Sequence, residues 1–194
     1  VNPTRSLLRL SLGHRPPRTR GTLAVAGLTG RVTIRRDRWG IPVIQAGTDA
    51  DAWFGLGFCH GQDRAAQLDF VRRAVRGTLA ELVGPSGLAV DRLTRRIGLW
   101  RSAVAQLPAL DPDVRATLDA YARGVTAGVS PLGLPRRPHE FAILGGRPGA
   151  WDAADVAAYL KLQALLVGAN WDVELARLQL LLADGPDAVA ALDP

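Results

Sequence analysis

The sequence predicts an α+β chain that is mainly helical and carries a single β-hairpin. Three observations lead there. Apolar residues recur at steps of three and four over most of the chain, alternation is confined to residues 32–46, and Gly/Pro pairs separate the segments. The 194 residues are 47% hydrophobic and 22% charged, the balance of a globular chain with one good-sized core and not of a disordered one.

Residues 1–31 are punctuated by Arg, Pro and Gly and read as an arm over the surface, with residues 32–194 forming part of a single domain. The run Val32-Thr33-Ile34-Arg35-Arg36 alternates and reads as a strand. Asp37-Arg38-Trp39-Gly40 supplies a turn, and Ile41-Pro42-Val43-Ile44-Gln45-Ala46 returns as a second strand, with Pro42 at its start or on an edge. A lone hairpin is not a stable sheet. Its edges are therefore expected to pair with something outside this chain.

Thr48 and Asp49 are N-cap residues for a helix that begins near Ala50 and is expected to run to Gly84-Pro85. Ala65, Leu68, Val71, Val75, Leu79 and Leu82 form its apolar stripe, opposite Arg64, Arg72, Arg73, Arg76 and Glu81. Gly55, Gly57 and Gly61 each cost a helix about 1 kcal/mol relative to Ala, so either another backbone packs close to them or the helix breaks there. Asp111-Pro112 opens the next helix as N-cap and N1, with Val114, Leu118, Tyr121 and Val125 as its buried stripe. Residues 129–150 read as a Pro/Gly-rich connection. Asp152 then caps one long helix reaching Leu182, with Gly185-Pro186 as its stop. From residue 162 to 169 that helix is apolar almost all round and is expected to be buried on several sides.

The formal charge is +6, from 24 basic and 18 acidic residues, and Lys161 is the only Lys. The arginines are spread along the chain, dense only at 31–38 and 92–96, so a nucleic-acid partner is not expected. Cys59, alone in an apolar stretch, reads as a small buried hydrophobe. No run of about 18 apolar residues offers a membrane span, and no membrane partner is expected. The apolar run Leu7, Leu8, Leu10 is too broken for a signal-peptide core, so the compartment is left open. The absence of Met even at position 1 implies a removed start residue or a processed precursor.

A direct search for chemistry finds little. His14, His60 and His139 offer no zinc-ligand spacing, and Ser6, Ser11, Ser86, Ser102 and Ser130 lack a nucleophile-elbow context. There is no phosphate-loop or dinucleotide fingerprint. On the residues alone, a non-enzymatic helical binding module with a basic surface, or a structural subunit, stands beside any enzymatic reading.

Four blocks change the balance. They are Val32-Thr33-Ile34-Arg35-Arg36-Asp37-Arg38-Trp39-Gly40-Ile41-Pro42; Phe54-Gly55-Leu56-Gly57-Phe58-Cys59-His60-Gly61-Gln62-Asp63-Arg64 with Gln67-Leu68-Asp69 and Arg72-Arg73; Pro138-His139-Glu140-Phe141 with Leu144-Gly145, Pro148 and Trp151; and Asn170-Trp171-Asp172-Val173-Glu174-Leu175-Ala176-Arg177. In this order, over most of residues 32–182, they resemble the penicillin acylase family of N-terminal-nucleophile hydrolases. The resemblance implies an amidohydrolase made as one precursor and cut autoproteolytically into a small α chain and a large β chain. This sequence corresponds to the α chain. The nucleophile would be the β chain's N-terminal Ser, activated by its own α-amino group, with oxyanion donors also on the β chain. No catalytic residue is then expected in this chain. The implied fold is a four-layer αββα sandwich, completed by the β chain and receiving the hairpin from this one.

The same resemblance implies the remaining site residues. Glu174 corresponds to the family's calcium-binding glutamate, so a structural calcium ion is expected there and no organic cofactor. Asp172 is an exposed acid or supports the ligand. The acyl pocket would draw on Ala164, Val167, Gly168 and Trp171, with Leu165 nearby. In members that take a phenylacetyl group, an aromatic stands at about the position of Gly168 and a longer residue at that of Val167, so a deeper pocket is expected here. The substrate would be a small N-acyl compound, either a penicillin-type side-chain amide or an N-acyl homoserine lactone. His60, Gln62, Asp63 and Arg64 read as an orienting hydrogen-bond network, and Trp39, Trp151 and Trp171 as core or interface anchors. Family members are commonly periplasmic or extracellular.

Overall fold

The computed structural model describes residues 15–168 and 170–191, together with Thr4 and Gly13. The arm expected over residues 1–31 therefore falls partly outside the described residues, as does Ala169 of the apolar 162–169 stretch. The chain divides into two compact units, residues 1–159 and 160–194.

The hairpin forms where alternation places it, slightly trimmed. Strand β1 (Thr33–Arg36) pairs antiparallel with β2 (Pro42–Gln45), Ile34 opposite Ile44 and Arg36 opposite Pro42. Asp37 closes the tip, its carboxylate accepting from the backbone N–H groups of Trp39 (2.8 Å) and Ile41 (2.9 Å). Gly40 supplies the positive φ of +83° that a side chain would resist.

Helix α1 (Asp49–Arg76) starts at an N-cap Thr48 whose hydroxyl accepts from Asp51 N. It ends sooner than its periodicity suggests. Gly77 turns left-handed at φ 68°, its N–H bonding back to the last turn, and Leu79 and Leu82 belong to a separate turn region with the short helix α2 (Ala80–Val83). Of the two readings of the early glycines, close approach holds at Gly57 and Gly61, and the break falls beyond them. The helix kinks at Arg64 (φ −132°, ψ 24°), and Gly57 and Gly61 lie where a second backbone crosses.

That second backbone is helix α5 (Pro112–Val129), capped by Asp111 with Pro at N1 as expected. A Cβ added at Gly57 or Gly61 would meet the carbonyl oxygens of Tyr121 and Val125, and one at Gly124 or Gly128 those of Phe54 and Phe58. The helices pack backbone to backbone. The cluster beside this crossing joins Ala122, Val125, Trp151 and Val156, with Leu68, Leu118, Tyr121, Val129 and Tyr159 against it. Trp151 is thus a core anchor, whereas Trp39, 75% exposed, is not part of this chain's core.

Between α2 and α5 the structure adds α3 (Leu88–Ile97) and α4 (Leu99–Gln106), which meet at Gly98 (φ +81°). The 129–150 connection contains a further short helix, α6 (His139–Leu144), started by Pro138 with its fixed φ.

The long helix expected from Asp152 to Leu182 is two helices, α7 (Ala153–Val167) and α8 (Trp171–Asp184), followed by α9 (Pro186–Ala190). Gly168 still donates to Ala164 O at 2.9 Å, but Asn170 takes φ −118°, ψ 16° and begins a new helix. Gly and Asn are among the poorer helix formers, and here they outweigh the continuous apolar pattern. The expectation of burial fails as well at most of the described residues 162–168. Ala164 and Leu166 are exposed and Val167 is 88% exposed, because apolarity on every side marks a surface to be covered and this chain does not cover it.

The glycine crossing gives a test with a reversed sign. In an open helix Gly→Ala stabilises. Gly57→Ala should instead destabilise by about 1–3 kcal/mol through overpacking against Tyr121 O. Gly47→Ala, which meets open space, should be neutral or gain up to about 1 kcal/mol. Denaturant midpoints of the purified protein would compare the two.

Candidate functional site

Polar groups in the first unit concentrate along α1. Arg36 of β1 donates to Asp63 at 2.7 Å and to Gln62 at 3.2 Å, tying the hairpin to the helix. The Gln62 amide in turn donates to Arg18 O (2.6 Å) and Gly133 O (3.1 Å), so one buried side chain pins the arm to the loop after α5. A second pin is Asp51, which accepts from the Thr29 hydroxyl at 2.7 Å, Thr29 N at 2.9 Å and Gly30 N at 3.0 Å. The Thr29 hydroxyl bond is the leading reason that the Asp51 carboxyl titrates below the ordinary carboxylate range.

His60 pairs its Nδ1 with the Tyr121 hydroxyl at 2.8 Å, joining α1 to α5. Burial holds the imidazole below its usual value, with Asp63 pulling it up and Arg64 pushing it down. Burial, with Tyr159 adding to it, raises the phenol to about 12. Of the network expected from His60, Gln62, Asp63 and Arg64, Gln62 and Asp63 share Arg36 as a partner, His60 bonds separately to Tyr121, and Arg64 is the exposed residue at the kink of α1. Cys59, next to His60, is fully buried, its thiol pushed up to about 11 chiefly by desolvation.

Two buried aspartates were not legible in the sequence. Asp69 accepts from Arg73 Nε at 2.6 Å and from Gly149 N at 2.7 Å. Asp155 takes both Arg76 Nε (2.6 Å) and Arg76 Nη2 (2.9 Å), and Arg72 Nε lies 3.4 Å away. The Arg76 guanidinium also stacks 3.8 Å above the Trp100 ring. Three of the arginines read as an outer polar face, Arg72, Arg73 and Arg76, are therefore partners of buried acids. The i, i+4 spacing of Asp69 and Arg73 was the one available signal. These networks position elements, and none sets a nucleophile beside a base.

The residues singled out for substrate and metal all lie in the second unit, residues 160–194. Ala164 and Val167 occupy the last turn of α7, and Gly168 closes it. Trp171 opens α8, 63% exposed, and Glu174 lies in the same first turn, where the helix N-terminus favours its charge. Glu174 accepts from Asn170 Nδ2 at 3.2 Å and Arg177 Nη1 at 3.3 Å. Asp172 is exposed. Among the described residues no three His, Cys, Asp or Glu side chains group as a metal site.

None of these residues lines either of two cavities found in the first unit. One, of about 520 Å³, lies between arm residues 18–31, β1 and the Phe54, Phe58 and Gln62 side chains of α1. The other, of about 270 Å³, is bordered by Arg15, Leu134, Arg137 and Arg147.

The model of the penicillin amidase family matches residues 31–194. This chain belongs to that family. Among its relatives is the acyl-homoserine lactone acylase QuiP of Pseudomonas aeruginosa, 36% identical over 178 residues, which are 92% of this chain and 21% of that protein. Another is the penicillin acylase 2 proenzyme of a Pseudomonas species, 37% identical over 155 residues, 80% of this chain and 20% of that one. The penicillin amidase chain described here thus spans about a fifth of the length of the curated relatives it matches. Among solved structures it is similar to a thermostable penicillin G acylase from Alcaligenes faecalis, with a TM-score of 0.67 and 29% identity, covering 84% of this chain and 88% of that one. The mainly helical architecture with its small hairpin is therefore shared with that penicillin amidase structure.

His60 yields a pH prediction. Its folded pKa lies below the unfolded value, so the unfolded chain takes up a proton first on acidification. The stability it confers is complete above about pH 6.5 and declines as pH falls toward the lower folded value. His60→Gln should flatten the dependence of Tm on pH below about 6.5, measured by thermal melts of the purified protein. An unchanged slope would mean that another group controls it.

Proposed function

We propose that this chain is the α-subunit part of an N-terminal-nucleophile amidohydrolase that removes an acyl group from a linear amide. The observation that carries the reading is a mismatch of lengths. The chain covers about a fifth of its curated relatives, one of them named a proenzyme, yet 88% of a separate chain in the solved acylase structure. A piece of that extent fits the smaller product of a cut precursor. The larger β chain would bring the N-terminal Ser, its α-amino base and the oxyanion donors, so that acyl transfer to Ser and hydrolysis occur on groups outside this chain.

The unfinished surfaces support the same partner. A two-stranded sheet is marginal alone, and β1 borders the 520 Å³ cleft floored by Phe54 and Phe58, where a further strand of a larger sheet could add. Trp39, Ile41 and Val43 on the hairpin, and Val167, Trp171 and Leu182 in the second unit, are exposed apolar groups that a covering chain would bury. In this reading the hairpin enters a four-layer αββα sandwich.

Glu174 is proposed as this chain's ligand to a calcium ion shared with the β chain. An exposed carboxylate fits a hard cation, which would exchange with Arg177 as its partner. The ion would cross-link the chains and take no part in the bond cleavage. Elemental analysis of the matured complex should find about one calcium, and Glu174→Gln should lower that content severalfold. Unchanged calcium in the variant would leave Glu174 with its Arg177 ion pair alone.

Ala164, Val167, Gly168 and Trp171 are proposed to border the acyl pocket. Gly168 has an ordinary negative φ, and an added Cβ would approach only Ala164 O, at 3.1 Å, so a larger side chain is sterically admissible there. Its absence favours a longer linear acyl chain, such as that of an N-acyl homoserine lactone, over phenylacetyl. Each added buried methylene contributes about 0.8 kcal/mol, or roughly fourfold in kcat/KM where it fits. Assayed on the matured product of the whole gene, kcat/KM should climb along a linear acyl-amide series past the length of phenylacetyl. Gly168→Phe should reverse the trend. A peak at phenylacetyl or acetyl would remove these residues from the pocket, and no hydrolysis of any amide would overturn the acylase reading itself.

A further inference from the structure

The exposed side of α3 sets an apolar stripe beside a basic one. On α3, Val90, Leu93 and Ile97 recur at i, i+3 and i+7 and fall within about 60° of one another around the axis. All three are exposed, Leu93 by 51% and Ile97 by 44%. Asp91 and Thr94 occupy the buried side, and Asp91 is consumed as a cap, accepting from Leu79 N at 2.7 Å and Ala80 N at 2.9 Å.

Arg92, Arg95 and Arg96 fill a neighbouring sector of about 100° on the same helix. On α4, Arg101 and Val104 are likewise exposed, while Leu99 and Ala103 are buried. Arg95 is anchored through Nε to Gly77 O at 2.7 Å. Arg92 and Arg96 enter no ion pair among the described residues. Over residues 88–106 there are four arginines and one acid, and that acid is buried.

We propose that this face of α3 and α4 is a contact for the surface of an anionic phospholipid bilayer. An apolar stripe beside a basic one, on a helix lying along the surface, suits the boundary of headgroups and acyl chains. There the aliphatic groups insert while guanidinium groups reach the phosphates. The charge selects this occupant over a protein cover. An interface core formed by the rest of the protein would have to desolvate or neutralise four guanidinium groups that no acid on this face offsets, whereas a layer of lipid phosphates supplies the counter-charge directly. No helix of the described residues is long and apolar enough to cross a membrane. The proposal concerns surface contact, and it revises the sequence expectation that no membrane takes part. It stands independently of the acylase reading, because it uses none of the residues assigned to substrate or metal.

Flotation of the whole gene product with lipid vesicles tests it. The protein should float with phosphatidylcholine vesicles containing phosphatidylglycerol, not with pure phosphatidylcholine, and should be released by salt. Arg92→Gln with Arg96→Gln should weaken binding about fivefold for each arginine neutralised. Leu93→Glu with Ile97→Glu should abolish it. Both double variants should retain wild-type hydrolysis of a short, soluble amide if the acylase reading holds, and a wild-type melting profile whether or not it does. The proposal is overturned by an intact protein that ignores anionic vesicles, or by a Leu93→Glu/Ile97→Glu variant that binds them as wild type does. It is also overturned if that variant loses the remainder of the protein on purification, since the face would then be a subunit interface.

Discussion

The close crossing of α1 and α5 is the contact on which the rest of the first unit is arranged. Four glycines, Gly57 and Gly61 on one helix and Gly124 and Gly128 on the other, let carbonyl oxygens approach where any Cβ would collide. Each glycine costs helix propensity, and the backbone approach gives in exchange dense packing that fixes one helix against the other without a rotamer to adjust. Everything else is referred to that pair. Gly55 on α1 receives Ile44 and Val32 of the hairpin, His60 and Tyr121 bridge the crossing, and Trp151 and Val156 close its flank.

Charge then fastens the segments that the crossing cannot hold by itself. The arm is pinned by Asp51 and Gln62, the hairpin by Arg36, the loop at Gly149 by Asp69, and the start of α7 by Arg76. In each case a buried polar side chain answers backbone N–H or carbonyl groups, or a guanidinium, that would otherwise go unpaired. A buried ion pair is weak evidence for added stability. Its consequence here is registry, because a bidentate Arg76–Asp155 contact admits one placement of the two helices and few others. Four of the arginines, Arg36, Arg72, Arg73 and Arg76, are spent on these ion pairs.

Apolar surface is left open in several places. The hairpin leaves Trp39, Ile41 and Val43 exposed beside Arg35 and Arg38, whereas the second unit exposes Val167, Trp171 and Leu182. The face of α3 and α4 is apolar and cationic together, which suits phosphate. The chain belongs to the penicillin amidase family and spans about a fifth of the length of its curated relatives.

The sequence by itself determined the elements whose causes are local. Alternation specified the hairpin, Thr48 and Asp111 specified two helix starts, and Gly185 specified a stop, because caps and period act over a few residues. It also carried the family, through four ordered blocks. The tertiary structure decided matters that depend on distant partners. Whether Gly57 marked a break or a close approach was settled only by α5, some 60 residues on. The burial of Asp69 and Asp155 follows from Arg73, Arg76 and Gly149, partners that only the fold brings together around them. At 168–170 the apolar pattern predicted one buried helix, and local propensity prevailed because no neighbour in this chain rewards continuity there. Hydrophobic period records which faces seek cover, but only the folded chain shows which of them it covers itself.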